Sequence, residues 1–548
     1  MIMRLALLAA TALVASPALA DPATLYDNVN GVQATADGEI VRFNAMMVDE
    51  QGKIVATYRA GDTVPSADLR VDMEGAHVLP GLIDGHGHFL MMGQTMMSLQ
   101  LFGTDSIASL QQQLADFAAA NPGDGWIVGR GWNHEMFSDG RFPTAADLDA
   151  VVSDRPVILE RVDGHATVVN TMAMQMAGTS DDTPDPVGGA ILRDDDGKAT
   201  GVFVDTAMKP LYALVPAYTG EDYAEAIELA QGIMLEHGLT AMADMGTPDD
   251  HWHAMRRAGD EGELKVRVMA YAAGADTLER IAANGPTPWL YDGKLRMAGV
   301  KLVTDGALGS RGAWLKAPYA DADTTGLQML TDEQLADSVA RAVALGHQVA
   351  VHAIGDAAND QLLDAVEATP NASALRFRNE HTQILDPADL PRMAASNVIA
   401  SMQPVHQTSD WKMAEKRLGM DRLGAAFAWR SLADSGALLA FGSDFPVEHP
   451  NPFVGLEVAV TRIDANGEPE GGWLADERVT LGEALAGFTV GAAYAGFAED
   501  ALGSLSAGRY ADFIVVDRDI TTIDPSDISE TKVLATYVGG KQVYRAND

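Results

Sequence analysis

Cysteine is absent from all 548 residues. That absence excludes disulfides, thiolate metal ligands, a cysteine nucleophile and a lipid-modified N-terminal cysteine. Any bound metal must therefore be held by imidazole, carboxylate or a modified side chain. Basic residues are scarce: 38 Lys and Arg stand against 77 Asp and Glu, for a net charge of −39. Such a surface repels nucleic acid and anionic lipid, so neither is an expected partner, and its plain use is solubility. After residue 20 no apolar run is long enough to span a bilayer. No Gly-rich dinucleotide fingerprint follows the first candidate strand, which counts against a doubly wound nucleotide-binding sheet.

Residues 1–20 read as a secretory signal. Arg4 supplies the positive start, Leu5 to Val14 the short apolar run, and Ala18-Leu19-Ala20 the small-x-small cleavage site. The mature chain would begin at Asp21 and be periplasmic or secreted. Beyond it, β-like pieces such as Ala45-Met46-Met47-Val48 are matched near the other end by Phe513-Ile514-Val515-Val516. Residues 21–76 and 496–548 are therefore expected to pair into one small β-sandwich.

Between these flanks, apolar β-branched runs alternate with amphipathic stretches. Eight candidate strands begin near His77, Leu239, Val266, Arg296, His347, Arg376, Val398 and Leu438. Eight β-then-α units predict an α/β fold, a closed (β/α)8 TIM-like barrel over residues 77–495. The stretch between the first two strands is too long for a loop. It contains a strand of its own, Pro156 to Glu160, and predicts a cap inserted at about residues 100–235.

The chain has 13 histidines. An apolar strand ends in His86-Gly87-His88, and alternate strand residues face the same side, so both imidazoles can enter one site. Alone, such a pair also fits two hydrogen-bonded or exposed histidines. Three more strand ends repeat the pattern with His352, His381 and Asp444. In a barrel these ends converge on one face, where catalytic groups sit. Imidazole and carboxylate are ligands for a divalent metal.

At these residues the chain resembles the amidohydrolase superfamily, in the branch that includes N-substituted formamide deformylase. The pieces that carry the resemblance are LPGLIDGHGH, GRGWNHEMF, ERVDGHATVVN, GVKLVTDGALGSRGA, VAVHAIGD, NEHTQI and FGSDFPV, followed by GSLSAGRYADFIVVD. They span about Val41 to Val543. The resemblance implies that His86 and His88 bind a more buried metal, and His352 and His381 a second one. It implies that Asp444 contacts metal and acts as general base, and that Lys301 bridges the metals as a carbamate. An ordinary buried lysine paired with Asp305 or Asp444 is the alternative for Lys301.

The expected reaction is hydrolysis of a non-peptide carbon–nitrogen bond by metal-activated hydroxide. A linear amide, N-acyl or N-formyl, is the expected small-molecule substrate. Asp444, Lys301 and His381 are the expected catalytic groups, with histidine helping to hold the oxyanion. A cyclic amide, carbamate or ester hydrolase is the alternative enzyme, and an exported metal-containing binding protein without turnover the alternative outside enzymes. Imidazole-rich ligation without thiolate favours Zn2+, one ion or two, with iron, manganese and cobalt also compatible. Trp132, Asn133, His134 and His165 in the cap, with Arg311 after the fourth strand, are candidate substrate contacts. Arg311 serves equally as partner of a structural acid, and the cap residues equally hold the cap together. His237, His251 and His253 read as surface residues, and a homodimer is a possible assembly. Gly85 and Gly87 are read as letting the backbone approach the metal.

Overall fold

The computed structural model describes residues 23–162 and 164–547. The segment read as a secretory signal lies outside the described residues. The centre is a parallel sheet of eight strands: β1 (Leu82–Gly87), β2 (Leu239–Thr247), β3 (Arg267–Ala273), β4 (Leu295–Val303), β5 (Gln348–Ala353), β6 (Arg378–His381), β7 (Ile399–Met402) and β8 (Leu439–Phe441). They lie side by side in chain order. Most of their residues are buried, which is why the strands read as apolar runs rather than as alternating ones. Helices cover the outside, and local chemistry starts several of them. At Asp332–Ala344, Thr331 accepts from the Gln334 amide and the Gln334 side chain accepts in return from the Thr331 amide, a reciprocal cap.

The seam between β8 and β1 is closed without a regular ladder. The Asp444 amide donates to the His86 carbonyl at 2.7 Å. The buried Asp84 carboxylate accepts from the Ser443 amide at 3.0 Å, the Ser443 hydroxyl at 2.6 Å and the His86 amide at 3.1 Å. A Cβ on Gly85 would lie 2.6 Å from the Phe441 carbonyl oxygen, and one on Gly442 would lie 2.4 Å from the His86 nitrogen. The requirement for glycine at position 85 thus comes from the closure of the barrel, a different reason from the metal approach read in the sequence.

The first barrel strand starts at Leu82 rather than near His77. The run that ends at Pro80 belongs to a second sheet, where strand Leu69–Pro80 lies parallel to Thr24–Ala34 and antiparallel to Phe513–Val516, with Pro80 opposite Phe513. Gly81 divides one apolar stretch into two strands: a Cβ there would meet the Thr240 side chain at 2.2 Å. Segments from both chain ends build this eight-stranded sheet, around a core that includes Tyr26, Phe43, Met46, Ile54 and Phe513.

The insertion forms a six-stranded sheet from Leu99–Gln100 to Ala199–Asp205. It has cores of its own, one around Leu114, Trp132 and Leu159, the other around Ile158, Val169 and Phe203. It ends earlier than the expected residue 235. Helix Gly220–Glu236 packs Ile227, Ala230 and Met234 into the barrel core instead.

A buried ion pair ties barrel to terminal sheet. Arg267 on β3 donates through Nε and Nη2 to the two oxygens of Asp512 at 2.6 and 2.8 Å, and stacks on Tyr510. Removing one partner of such a pair strands a charge in the interior. Asp512→Ala is expected to cost about 3–5 kcal/mol, measured as a lower midpoint of urea unfolding. An unchanged midpoint would show that the two parts are held together by apolar contact alone.

Candidate active site

Six polar side chains from the C-terminal ends of β1, β4, β5, β6 and β8 meet inside the barrel mouth. Asp444 is at their centre. Its Oδ1 lies 3.0 Å from His88 Nε2 and 3.3 Å from His86 Nε2, and its Oδ2 lies 4.0 Å from His381 Nδ1. The His86 ring is 4.7 Å from that of His381, which is 4.4 Å from that of His352. Lys301 Nζ lies 3.5 Å from His86 Nε2. Among the described residues no carboxylate comes within salt-bridge distance of Lys301, so it pairs with neither Asp305 nor Asp444.

The imidazoles are held by hydrogen bonds at their far nitrogens. His86 Nδ1 donates to Glu380 Oε2 at 2.6 Å, and His381 Nδ1 donates to Gln403 Oε1 at 2.9 Å. Each bond places the ring proton on Nδ1 and leaves the Nε2 lone pair available, the arrangement that second-shell acceptors impose on metal-ligating histidines. His352 Nε2 is buried without a hydrogen-bond partner, 3.4 Å from Asp305 Oδ1. A buried orphan nitrogen of this kind costs free energy unless a ligand takes it up. The ligand atoms of His86, His88 and Asp444 lie within 4.8 Å of one another, as do those of His381, His406 and Asp444. The donor set therefore fits a divalent cation bound by nitrogen and oxygen.

Burial governs the charges here. It lowers the Lys301 ammonium to about 8, against the attraction of Glu380 and Asp444. It lowers His352 to about 3, with Lys301 acting the same way. Burial raises Asp305 to about 7, opposed by the backbone amides of Gly355, Ile354 and Trp314. For Asp444 burial again pushes up, but His86 and the hydrogen bonds of His86 and His88 outweigh it and hold the carboxyl well below its usual range.

The remaining candidates are placed elsewhere. Trp132 is 0% exposed, within the insertion's core, and its indole N–H donates to the Leu159 carbonyl at 2.7 Å. Its polar handle is used up in holding the insertion's sheet. Asn133 caps a short helical turn through the Glu135 amide and accepts from Arg161. His134 stacks on Phe142 at 3.9 Å and accepts from Arg161 Nε. His165 is exposed and bonded to Asp205 at 2.9 Å. Arg311 makes a two-pronged bond to Asp321, which also binds Arg417, so the structural acid is its partner. His253 is exposed, whereas His237 and His251 are half-buried: His237 packs edge-on against His449, and His251 lies 3.5 Å from Gln94.

Sequence reasoning missed Glu380 and Gln403, and gave His406 no chemical role of its own. Glu380 had a signal: it shares a strand face with Arg378, an acid and a base two residues apart in an apolar setting. His406 follows the end of β7 as the other histidines follow theirs, but Pro404 starts a helix between the strand end and the ring and hides the spacing.

Two substitutions separate ligand support from insertion packing. Glu380→Gln keeps the shape but weakens the acceptor behind His86, and is expected to weaken divalent-cation binding about 10–100-fold, measured by competition with a chelating dye. Trp132→Ala is expected to destabilise the insertion by about 3–5 kcal/mol while cation stoichiometry at permissive temperature stays at the parent value. Lost stoichiometry would place Trp132 in the site after all.

Comparison with known proteins agrees with this arrangement. The amidohydrolase family profile matches residues 70–544. Protein LONG AFTER FAR-RED 3 of Arabidopsis thaliana is 34% identical over 541 residues, covering 94% of this chain and 91% of its own. N-substituted formamide deformylase of Arthrobacter pascens is 28% identical, covering 88% of this chain and 90% of its own. The crystal structure of an uncharacterized metal-dependent hydrolase from Pyrococcus horikoshii superposes with a TM-score of 0.77 at 28% identity, over 92% of this chain and 99% of that one. With the strand-end histidines and Asp444 gathered at the mouth of its eight-stranded barrel, this chain belongs to the amidohydrolase family.

Proposed function

We propose that this protein hydrolyses the carbon–nitrogen bond of a small linear amide, N-acyl or N-formyl, at a divalent-metal site, after export from the cytoplasm. The observation that carries this reading is the set of imidazoles around Asp444: Glu380 occupies Nδ1 of His86, whose bare Nε2 lies 3.3 Å from Asp444 Oδ1, and His88 Nε2 lies 3.0 Å from the same oxygen. The amide class draws support from the similarity to N-substituted formamide deformylase, and the metal from the similarity to the metal-dependent hydrolase from Pyrococcus horikoshii.

His86, His88, His352, His381 and Asp444 would hold the cation. Zinc suits their nitrogen-rich, sulfur-free set. Lys301, lowered by burial to about 8, has a neutral amine fraction at neutral pH that can add carbon dioxide and become a carboxylate ligand. A divalent cation held there supplies Lewis acidity and lowers the pKa of a bound water to about 7. Asp444 is ionised and faces the same space, so its carboxylate takes the water's proton as the oxygen attacks the carbonyl carbon. The C=O electron pair moves to the oxygen, then returns and breaks the carbon–nitrogen bond. Asp444 gives its proton to the nitrogen, and acid and amine leave.

The test is cation analysis with turnover of N-formyl and N-acetyl anilides, a cyclic imide, a carbamate and an ester. The expected order places the linear amides first, with one or two equivalents of metal per chain. His86→Ala with His88→Ala is expected to lose both metal and turnover. Asp444→Asn is expected to keep the fold and lose at least about 100-fold in kcat. Faster turnover of the cyclic imide would move the substrate class; full metal and activity in the double histidine variant would refute the site.

A further inference from the structure

We infer that His406 is a catalytic hydrogen-bond donor of this site: its Nε2–H binds the carbonyl oxygen of the substrate and stabilises the charge that develops there. The inference rests on the proposed hydrolysis and adds a residue to it.

His406 is in the first turn of helix Pro404–Leu418, directly after β7. It is 6% exposed. Its ring stacks near that of His381, with centroids 6.0 Å apart and planes 23° apart. Its Nε2 lies 3.9 Å from Asp444 Oδ2 and has no hydrogen-bond partner. Position alone would allow it as another metal ligand, since its nitrogen falls within 4.8 Å of those of His381 and Asp444.

The proton assignment separates the two roles. His86 and His381 face acceptors at Nδ1, a carboxylate and an amide oxygen, and so present a bare Nε2. His406 faces a donor: the Gln383 side-chain amide nitrogen lies 3.3 Å from its Nδ1. A neutral imidazole that accepts at Nδ1 carries its hydrogen on Nε2. That hydrogen points into the site beside the base and lacks an acceptor. A protonated Nε2 cannot ligate metal, but it can donate to a carbonyl oxygen that turns anionic.

The surroundings point the same way. Gln403 Nε2, Gln383 Oε1 and both polar atoms of Gln407 are buried without partners. Gln383 comes from the loop after β6, and Gln403 and Gln407 from the start of the helix after β7. Buried amides left unmatched in one sector suit a surface that meets a polar ligand, because an unsatisfied buried polar group is costly. The carbonyl end of the amide thus faces β6 and β7. During attack His406 keeps its proton; the water's proton goes to Asp444, and the oxygen's growing negative charge is shared with the imidazole N–H.

The test uses the zinc-reconstituted protein and the fastest anilide of the panel. His406→Ala is expected to retain the parent's metal stoichiometry and lose about 100–1,000-fold in kcat, as for other oxyanion donors, with a much smaller change in KM. His406→Gln, which keeps an N–H, is expected to recover part of the loss. Nitrogen-15 NMR of histidine-labelled parent protein, with His406 assigned by its absence from the variant, should show a protonated Nε2 and a bare Nδ1. Gln383→Glu puts an acceptor at Nδ1, and should reverse that signature and lower kcat. Loss of a metal equivalent in His406→Ala, or a protonated Nδ1 in the parent, would make His406 a ligand and overturn the inference. Parent-like kcat in His406→Ala would overturn it as well. In either case the wider reading stands if His86→Ala with His88→Ala still loses metal and turnover, and falls if that double variant keeps both. Should His406→Ala fail to fold, the parent's NMR signature and Gln383→Glu decide.

Discussion

A chain of hydrogen-bonded polar groups runs up the interior of the barrel, and the site is built on its upper end. Gln348 accepts from the Tyr271 hydroxyl at 2.6 Å, Tyr271 faces Arg378 at 3.3 Å, Arg378 binds Glu380 at 2.6 Å, and Glu380 binds His86 at 2.6 Å. Arg378, Glu380 and His86 are all fully buried. Such charges are tolerated only when every member is satisfied. Arg378 meets that condition with further bonds to the Gly85 carbonyl and the Ser401 hydroxyl, which tie β6 to β1 and β7. Burial alone would raise the Glu380 carboxyl; Arg378 and His86 reverse this and hold it far below its usual range. The acceptor that orients His86 therefore stays ionised because of a residue two positions earlier in the barrel core. Core electrostatics and ligand geometry are one structure here.

Backbone strain completes the mouth. Along β6, Arg378 and Glu380 point inward by alternation, and Asn379 points outward to Asn359. His381 should follow Asn379 to the outside. Instead it takes a left-handed φ of 78°, with Thr382 at 49°, and its ring joins the cluster. Asp444 has a φ of 56° and is pinned by its amide bond to the His86 carbonyl. Left-handed backbone at non-glycine residues costs about 1–3 kcal/mol and persists where surrounding structure enforces it. Two of the residues central to the proposed chemistry are in this state. The strain puts an imidazole and a carboxylate where a regular strand would not.

These features explain what could be read in advance. Seven of the eight expected strand starts fall within two residues of the observed ones, because buried parallel strands announce themselves as apolar runs bounded by turn residues. The first failed because Gly81 divides an uninterrupted apolar stretch between two sheets, a division set by contact with Thr240 and invisible to hydropathy. Strand-end histidines were legible for the same reason as the strands. Gln403 and Gln383 were not, since their role is to hold imidazoles that are near only in the folded chain, whereas Glu380 left a signal in its spacing from Arg378. Trp132 read equally as a substrate contact or as part of what holds the cap together, and the folded chain favours the second, since its N–H is consumed by the Leu159 carbonyl.

The insertion and the barrel keep separate interiors, and this limits where selectivity can reside. Trp132 and Leu159 share one insertion core, Ile158 and Phe203 the other, while the polar chain beneath His86 draws only on β1, β3, β5, β6 and β7. Substitution within the insertion's cores therefore changes that domain's stability first and reaches the proton positions at the site only indirectly. In the proposed reading, the groups that meet a substrate's polar atoms are instead those left unpaired near the barrel mouth. Among the described residues these include His352, Gln383, Gln403, His406 and Gln407, the last three at the start of a helix whose entry is set by Pro404. A proline there holds the first turn without needing a backbone donor. The backbone that carries these groups is thus fixed at the helix start, which is what the proposed discrimination between closely similar substrates requires.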